Sequence, residues 1–432
     1  MIGGGLAGCE AAYQLSKRGI SVTLYEQKPL KFSPAHHSSA LAEVVCSNSF
    51  KSTDLSTASG LLKAELEMLD SIILKIAKEN AVPAGGALAV NRDEFSKRVT
   101  EFISGLDNVT VINEEVAEFS DDNTIIATGP LTDGALYKNL TKFLGEENLH
   151  FYDASAPIVS GESIDYSCTF KANRRDNASD DYVNCPLNRE EYYAFVNALI
   201  SAECVTLHDF EKSEIFEGCM PIEVMAKRGA DSLRFGPMRP VGLVDSSGKR
   251  PFAVVQLRRE NTAGSLFNLV GFQTNLTFGE QKRVFSLIPA LKSAEFVKLG
   301  VMHRNSFVCA PKFLEASFRV NGTKSLYIAG QLSGVEGYME STLSGLVAGV
   351  SLARTILGES EVTFSPKTMT GAIINYLITP NANFQPMNAN FGILQPLDDE
   401  NRDKKERKIA YSMRAIREMK EIIDGINTKT DC

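Results

Sequence analysis

The chain has 432 residues, a formal net charge of −8, 44% hydrophobic residues and 23% charged ones. These are the proportions of an ordinary globular protein with room for two buried cores, and they exclude a disordered, fibrous or uniformly basic chain. No apolar run approaches a membrane span and the N-terminus is a glycine loop, not a signal peptide, so we expect no membrane partner and a cytoplasmic setting. The 8 cysteines are scattered without C-x-x-C pairs, and His36 and His37 are adjacent; neither a disulfide framework nor a metal site is expected.

Gly3-Gly4-Gly5-Leu6-Ala7-Gly8 spells G-x-G-x-x-G, with a helical pattern and then the apolar strand Ser21–Glu26 behind it. Glycines there serve a tight turn, close backbone approach to a pyrophosphate and close helix–strand contact. The diphosphate would rest on the helix N-terminus, where unpaired N–H groups and the helix dipole favour an anion. Glu26 ends the strand where its carboxylate meets ribose hydroxyls. This is a Rossmann-like dinucleotide site; the competing reading is a turn of purely structural purpose. Only Met1 and Ile2 precede the glycines, so the first, central strand of the sheet has almost no residues, and we expect weakened cofactor affinity or stability from that.

The helix Gly8–Arg18 is closed by Gly19. Residues 28–59 are irregular, carrying Pro34-Ala-His-His37 and Glu43-Val-Val-Cys-Ser-Asn-Ser49, and long irregular stretches in compact domains are more often functional than idle. Leu62, Leu66, Leu69, Ile73 and Ile76 predict one amphipathic helix. Pro83–Ala87 reads as a loop that lets backbone approach a ligand, and Val109–Ile112 and Thr124–Ala127 read as strands. Past about residue 145 the texture changes, with a polar run from Lys171 to Asp181 and a helix from Arg189 to Glu203. Rossmann-like texture resumes at Ser325-Leu-Tyr-Ile-Ala-Gly330-Gln331, before a small-residue helix over Leu343–Leu357. Asp398–Asp424 reads as a charged helix with Ile409, Met413, Ile416 and Ile423 as its buried edge.

We therefore expect a discontinuous α/β nucleotide-binding domain, residues 1–145 and 301–432, with an α/β domain inserted at 146–300. Two glycine-rich strand–helix junctions far apart in the chain, Gly3–Gly8 and Gly330–Gly337, favour FAD over a nicotinamide as the tightly held cofactor, because FAD is long enough to need both. From Cys219 to Arg304 there are thirteen Lys/Arg against six Asp/Glu, a balance of +7 in an otherwise acidic chain. Segregation of this kind suits an RNA-contacting face, although a merely solvated face gives the same count. Cys46 lies in the irregular stretch and Cys219 lies between Gly218 and Met220-Pro221 beside Lys227, Arg228 and Arg234, where a positive field favours the thiolate. Cys9, Cys168, Cys185, Cys204, Cys309 and Cys432 read as small buried hydrophobes.

The motifs together resemble a known family, the folate- and FAD-dependent tRNA (uracil-5-)-methyltransferases called TrmFO. The resemblance is carried by Gly3–Gly8, Pro34–His37, Val45-Cys-Ser-Asn-Ser49, Pro83–Val90, Asn184-Cys-Pro186 and Phe216-Glu-Gly-Cys-Met-Pro-Ile-Glu-Val-Met-Ala226. It continues through Leu233-Arg-Phe-Gly-Pro-Met238, Val254–Arg258, Val270–Gln273, Gly300–Asn305 and Pro386-Met-Asn-Ala-Asn-Phe-Gly392. Cys9 and Cys309 depart from the polar or small residues expected there. The resemblance implies a glutathione-reductase-like FAD domain and a thiolate, Cys219, that adds to uracil C6 and makes C5 nucleophilic. It implies 5,10-methylenetetrahydrofolate as one-carbon donor, NADPH or NADH as reductant, and Cys46 as a second functional cysteine near the flavin. Gly3, Gly4, Gly5, Leu6, Ala7, Gly8, Glu26, Gly330 and Gln331 are the expected FAD contacts, with Asn388 and Phe391 added by the resemblance. The target uridine must be flipped out of its stack, with Phe216 or Phe235 as an aromatic support. Alternatives are the same chemistry on a ribosomal RNA uridine, a generic FAD-dependent NAD(P)H oxidoreductase, a wobble-uridine flavoprotein with a longer C-terminal helical region, and a non-catalytic RNA-binding flavoprotein. The oligomeric state expected is monomer or weak homodimer.

Overall fold

The computed structural model describes all residues except 146–148, 175–180, 206–219, 246, 262, 301, 382–383, 398–402 and 428–432; Cys219, Phe216 and Cys432 lie outside the described residues. A parallel sheet organises the first core. Strand Val22–Glu26 pairs with Val109–Asn113, and Thr124–Ile126 pairs with Leu326–Ile328. Ile2 joins the two halves, bridging Tyr25 on one side and Ile126 on the other. The N–H of Ile2 donates to Ile125 O, the N–H of Ala127 to Ile2 O, and the N–H of Gly3 to Tyr25 O. Two residues thus fill the central strand's place, and the ladder is continuous where the sequence left almost nothing to build it.

Helix Leu6–Ser16 lies against helix Tyr338–Leu357 with backbone touching backbone. A Cβ on Gly345 would sit 2.1 Å from the Ala7 carbonyl oxygen, and one on Gly349 would sit 2.9 Å from Ala11 Cα. Glycine spaced four apart on one helix face removes the side chains that would hold the axes apart, and Ala7, Ala11 and Ala12 complete the seam. The two glycine-rich ends of the chain meet through this contact.

The single helix expected over Leu62–Ile76 is two helices, Ala58–Met68 and Ile72–Glu79. Asp70, at φ 58°, turns the chain, and the Ser71 side chain caps the second helix by accepting from Leu74 N–H. The apolar spacing runs unbroken across the turn because both helices bury the same side of the layer. The C-terminal helix, Lys404–Asn427, meets expectation in part: Ile416 and Ile423 pack against the core, but Ile409 and Met413 are 42% and 61% exposed, and the fully buried stripe is Ser412, Ala415 and Met419. Ser412 Oγ donates to Leu55 O, which fixes the small-residue face against the end of the preceding loop.

A second core sits on a six-stranded antiparallel sheet in the order Phe296–Lys298, Ile158–Ser160, Leu266–Leu269, Ala253–Arg259, Tyr182–Leu187, Phe170–Lys171. Helix Arg189–Ser201 packs on it through Tyr192, Phe195, Val196 and Leu199, with Phe272 and Phe285 against them. Not all of this region's bases face solvent. Arg258 is buried, donating from Nε to Asn48 Oδ1 and from Nη2 to Ser47 Oγ. It ties the inner strand of this sheet to the Cys46 loop.

Candidate functional site

The sharp turn between Ile2 and helix Leu6–Ser16 is set by contact distances. Gly3 has φ 100°, and a Cβ on Gly8 would stand 1.9 Å from the Gly3 carbonyl oxygen. Gly8 therefore serves the fold, closing the helix onto the turn, and lies outside the cleft wall. At Gly5 the reason differs: an added Cβ would meet nothing nearer than Ala127 O at 4.0 Å. The free space there faces a cleft, open to solvent, whose wall includes Gly3, Gly4, Gly5, Leu6, Ala7 and Glu26. Gly5 is the N-cap and offers no side chain to the first-turn N–H groups, so the helix presents unpaired donors where the cleft begins.

Glu26 is buried at the end of its strand, with one oxygen accepting from Gly4 N–H at 2.9 Å and the other from Lys28 N–H at 3.0 Å. Both bonds orient the carboxylate and leave further lone pairs facing the cleft. Gly330 and Gln331 also line the cleft, Gly330 so close to Ala7 that an added Cβ would lie 3.3 Å from the Ala7 Cβ, with Gly330 N–H fixed by Ser344 Oγ at 2.7 Å. Asn388 and Phe391 do not line the cleft. Phe391 stacks on Tyr411, and Asn388 precedes Ala389, whose N–H donates to Glu340 in the first turn of helix Tyr338–Leu357.

The irregular stretch 28–59 is held by a few buried polar groups. Glu43 accepts from His37 N–H and Ser38 N–H, and Lys28 Nζ donates to Ala40 O while lying 3.9 Å from Glu43. His36 bonds Ser33 through Nδ1, and burial, with Lys28 nearby, pushes its pKa below the ordinary value. Arg92 Nη1 donates to Val44 O and Val45 O, and its Nε pairs with buried Glu260. These bonds present Cys46 at the cleft's rim, half-buried, with its sulfur 3.2 Å from the Tyr338 hydroxyl. Tyr338 itself lines the cleft; burial raises its pKa well above the phenolic range, so the hydroxyl stays protonated.

Sequence reasoning missed Tyr338, because the residue opens a helix 292 positions from its partner and no local spacing marks it. It also missed Lys28 and Glu43, although the irregular stretch that contains them was singled out. Of the cysteines expected to be inert, Cys9, Cys185 and Cys309 are buried; Cys9 donates its S–H to Gly4 O. Cys168 and Cys204 are half-buried, against the expectation of full burial.

The chain matches the family model of glucose inhibited division protein A, GIDA, over residues 1–360. The fold is similar to that of GidA from Aquifex aeolicus, with a TM-score of 0.69 at 14% identity, covering 98% of this chain and 73% of that one. The methylenetetrahydrofolate–tRNA-(uracil-5-)-methyltransferase TrmFO of Acetivibrio thermocellus is 54% identical over 98% of both chains. Those of Moorella thermoacetica and Bacillus cytotoxicus are 53% and 50% identical over 96% and 98% of this chain. Likeness of this degree along nearly the whole length means that the chain belongs to the TrmFO family, within the wider GIDA group.

Proposed function

We propose that this protein methylates C5 of a tRNA uridine, taking the one-carbon unit from 5,10-methylenetetrahydrofolate and using FAD with NADPH or NADH as reductant. The observation that carries this reading is half-identity, along almost the whole chain, to relatives named for that reaction. The cleft supports FAD in particular. The space at Gly5 and the uncapped helix N-terminus suit a diphosphate, Glu26 suits a ribose, and Gly330 and Gln331 extend the wall toward the far end of a long cofactor. When bound, FAD supplies hydride and one-carbon transfer chemistry.

The chain's own groups supply the remainder. Cys219 adds through sulfur to uracil C6, the C5–C6 π electrons move toward the C4 carbonyl, and C5 becomes the nucleophile. After C5 has taken up the carbon unit its proton leaves and the C6–S bond breaks, which leaves an exocyclic methylene that one hydride, drawn ultimately from NADPH or NADH, would convert to the methyl group. Cys46, held by Tyr338 beside the cleft, serves the cofactor side of the reaction. The resemblance assigns Asn388 and Phe391 to the cofactor as well, from a segment whose Ala389 N–H is bonded to Glu340 in the first turn of the Tyr338 helix. The division into 1–145, 146–300 and 301–432, a cytoplasmic location and a monomer or weak homodimer belong to the same proposal.

The test is nucleoside mass spectrometry after incubation with FAD, NADPH and labelled methylenetetrahydrofolate, with unmodified tRNA and a ribosomal RNA fragment in parallel. Labelled 5-methyluridine in tRNA, absent with Cys219→Ala, is expected. Label confined to the ribosomal fragment moves the substrate, and NADPH oxidation without label in either RNA overturns the methyltransferase.

A further inference from the structure

We infer that Phe235 is a stacking platform for an unpaired base of the RNA substrate, with Arg239 and Arg174 holding an adjoining phosphate. The inference rests on the tRNA reading above. Phe235 is 84% exposed, the most exposed large apolar side chain among the described residues. Fraying does not explain it, because the short helix Ser232–Phe235 is pinned on every other side. Leu233 and Met238 are fully buried, and Ser232 Oγ donates to Met225 O. Arg234 lies 3.7 Å over the Phe252 ring and donates to Phe252 O. A single exposed phenylalanine is ordinary on a protein surface, and what gives this one weight is the charge beside it.

Charge on the same patch selects the partner. Arg174 Nη2 donates to Pro237 O, two residues from Phe235, while its Nε is buried without a partner. Arg239 follows Pro237 by two residues, burial and then Arg239 lower the Arg174 pKa, and neither guanidinium is paired with a carboxylate among the described residues. Like charges left together in this way favour an anion with several acceptor oxygens. Lys227, Lys249 and Arg250 are exposed along the flanking turns. An aromatic face takes any base, and the arginines take the phosphate beside it. The patch also lies between segments that bear on the reaction. Pro221, two residues after Cys219, caps the helix that precedes Phe235. Asn173, next to Arg174, stands against Gly85, and the Tyr182 hydroxyl donates to Ala84 O in that same loop.

The chain contains no tryptophan, so Phe235→Trp installs a single fluorescent reporter on the platform. Unmodified tRNA is expected to quench it saturably. Phe278→Trp, at a site 56% exposed on another helix, is expected to show little change under the same titration. Phe235→Ala is expected to raise KM for tRNA about tenfold, the loss of one stacked base, with recovery in Phe235→Tyr but not in Phe235→Leu. Arg239→Gln is expected to reduce the log–log salt slope of tRNA binding by roughly one counterion. An unquenched Trp at 235 while tRNA binds and is methylated overturns this inference and leaves the function intact. Absence of tRNA binding and methylation by the wild-type chain overturns both.

Discussion

The Tyr338 hydroxyl lies 3.2 Å from the Cys46 sulfur and accepts from the backbone N–H groups of both Cys46 and Ser47. One phenol therefore fixes the thiol and the two peptide groups that carry it, from the far end of the chain. Tyr338 is in turn wedged edge-on against Phe50, which contacts Phe95 in the same way.

Chemistry and scaffolding at Cys46 are separable by substitution. Cys46→Ser keeps a hydroxyl within reach of Tyr338 and is expected to change stability by less than about 0.5 kcal/mol while methylation falls at least tenfold. Tyr338→Phe leaves two N–H groups without their acceptor and is expected to cost about 1–3 kcal/mol. Urea unfolding and methylation rates on both variants check the pair, and a Cys46→Ser enzyme of full activity would remove Cys46 from the mechanism.

Gly5 and Gly8 have different reasons to be glycine. Gly5→Ala, with open space ahead of its Cβ, is expected to leave the unfolding midpoint of the cofactor-free chain nearly unchanged and to weaken FAD binding at least tenfold. Gly8→Ala drives a methyl into the Gly3 carbonyl and is expected to lower folding stability by about 1–3 kcal/mol or more. Flavin fluorescence titration beside thermal melting distinguishes the two, and equal damage to folding at both positions would remove the ligand argument at Gly5.

Gly345→Ala is expected to destabilise more than Gly349→Ala, since the added methyl meets the Ala7 backbone at 2.1 Å against 2.9 Å from Ala11 Cα. Overpacking of this kind costs about 1–3 kcal/mol. Urea midpoints of the two variants give the order, and the reverse order would show that the helices separate without strain.

Glu65 carries a pH signature. It accepts from Met369 N–H, Thr370 N–H and Thr370 Oγ1 at the start of helix Met369–Ile378, yet complete burial outweighs these donors and raises its pKa to about 7 from 4.5. A carboxyl raised in the folded state keeps a proton that the unfolded chain has lost. Its stabilisation is therefore complete below about 4.5 and disappears as pH rises through about 7. The stability of wild type relative to Glu65→Gln is expected to fall by about 2–3 kcal/mol between pH 5 and pH 8. Urea midpoints across that range measure it, and a flat difference would contradict the assignment.

What the sequence made legible was local. Gly3–Gly8 and Glu26 announced themselves through short spacing, and the cleft wall contains all of them except Gly8. The turn at Asp70 was hidden because the apolar period continues through it. The C-terminal helix was legible in part: Ile416 and Ile423 pack against the core as their type suggests, but Ile409 and Met413 face outward and a close helix seat takes Ser412 and Ala415 instead. Partnerships such as Tyr338 with Cys46, or Arg258 with Asn48, join residues more than 200 positions apart and exist only once the chain has folded.

The glycine seam between helices Leu6–Ser16 and Tyr338–Leu357 has a mechanical meaning. With no side chains interposed there are no rotamers to absorb a displacement, so the two rods behave as one stiff lever. The two helices run the same way, Ala7 against Gly345 and Ala11 against Gly349. One end of that lever therefore carries both the turn at Gly5 and the phenol that grips Cys46, and the two walls of the cleft move together.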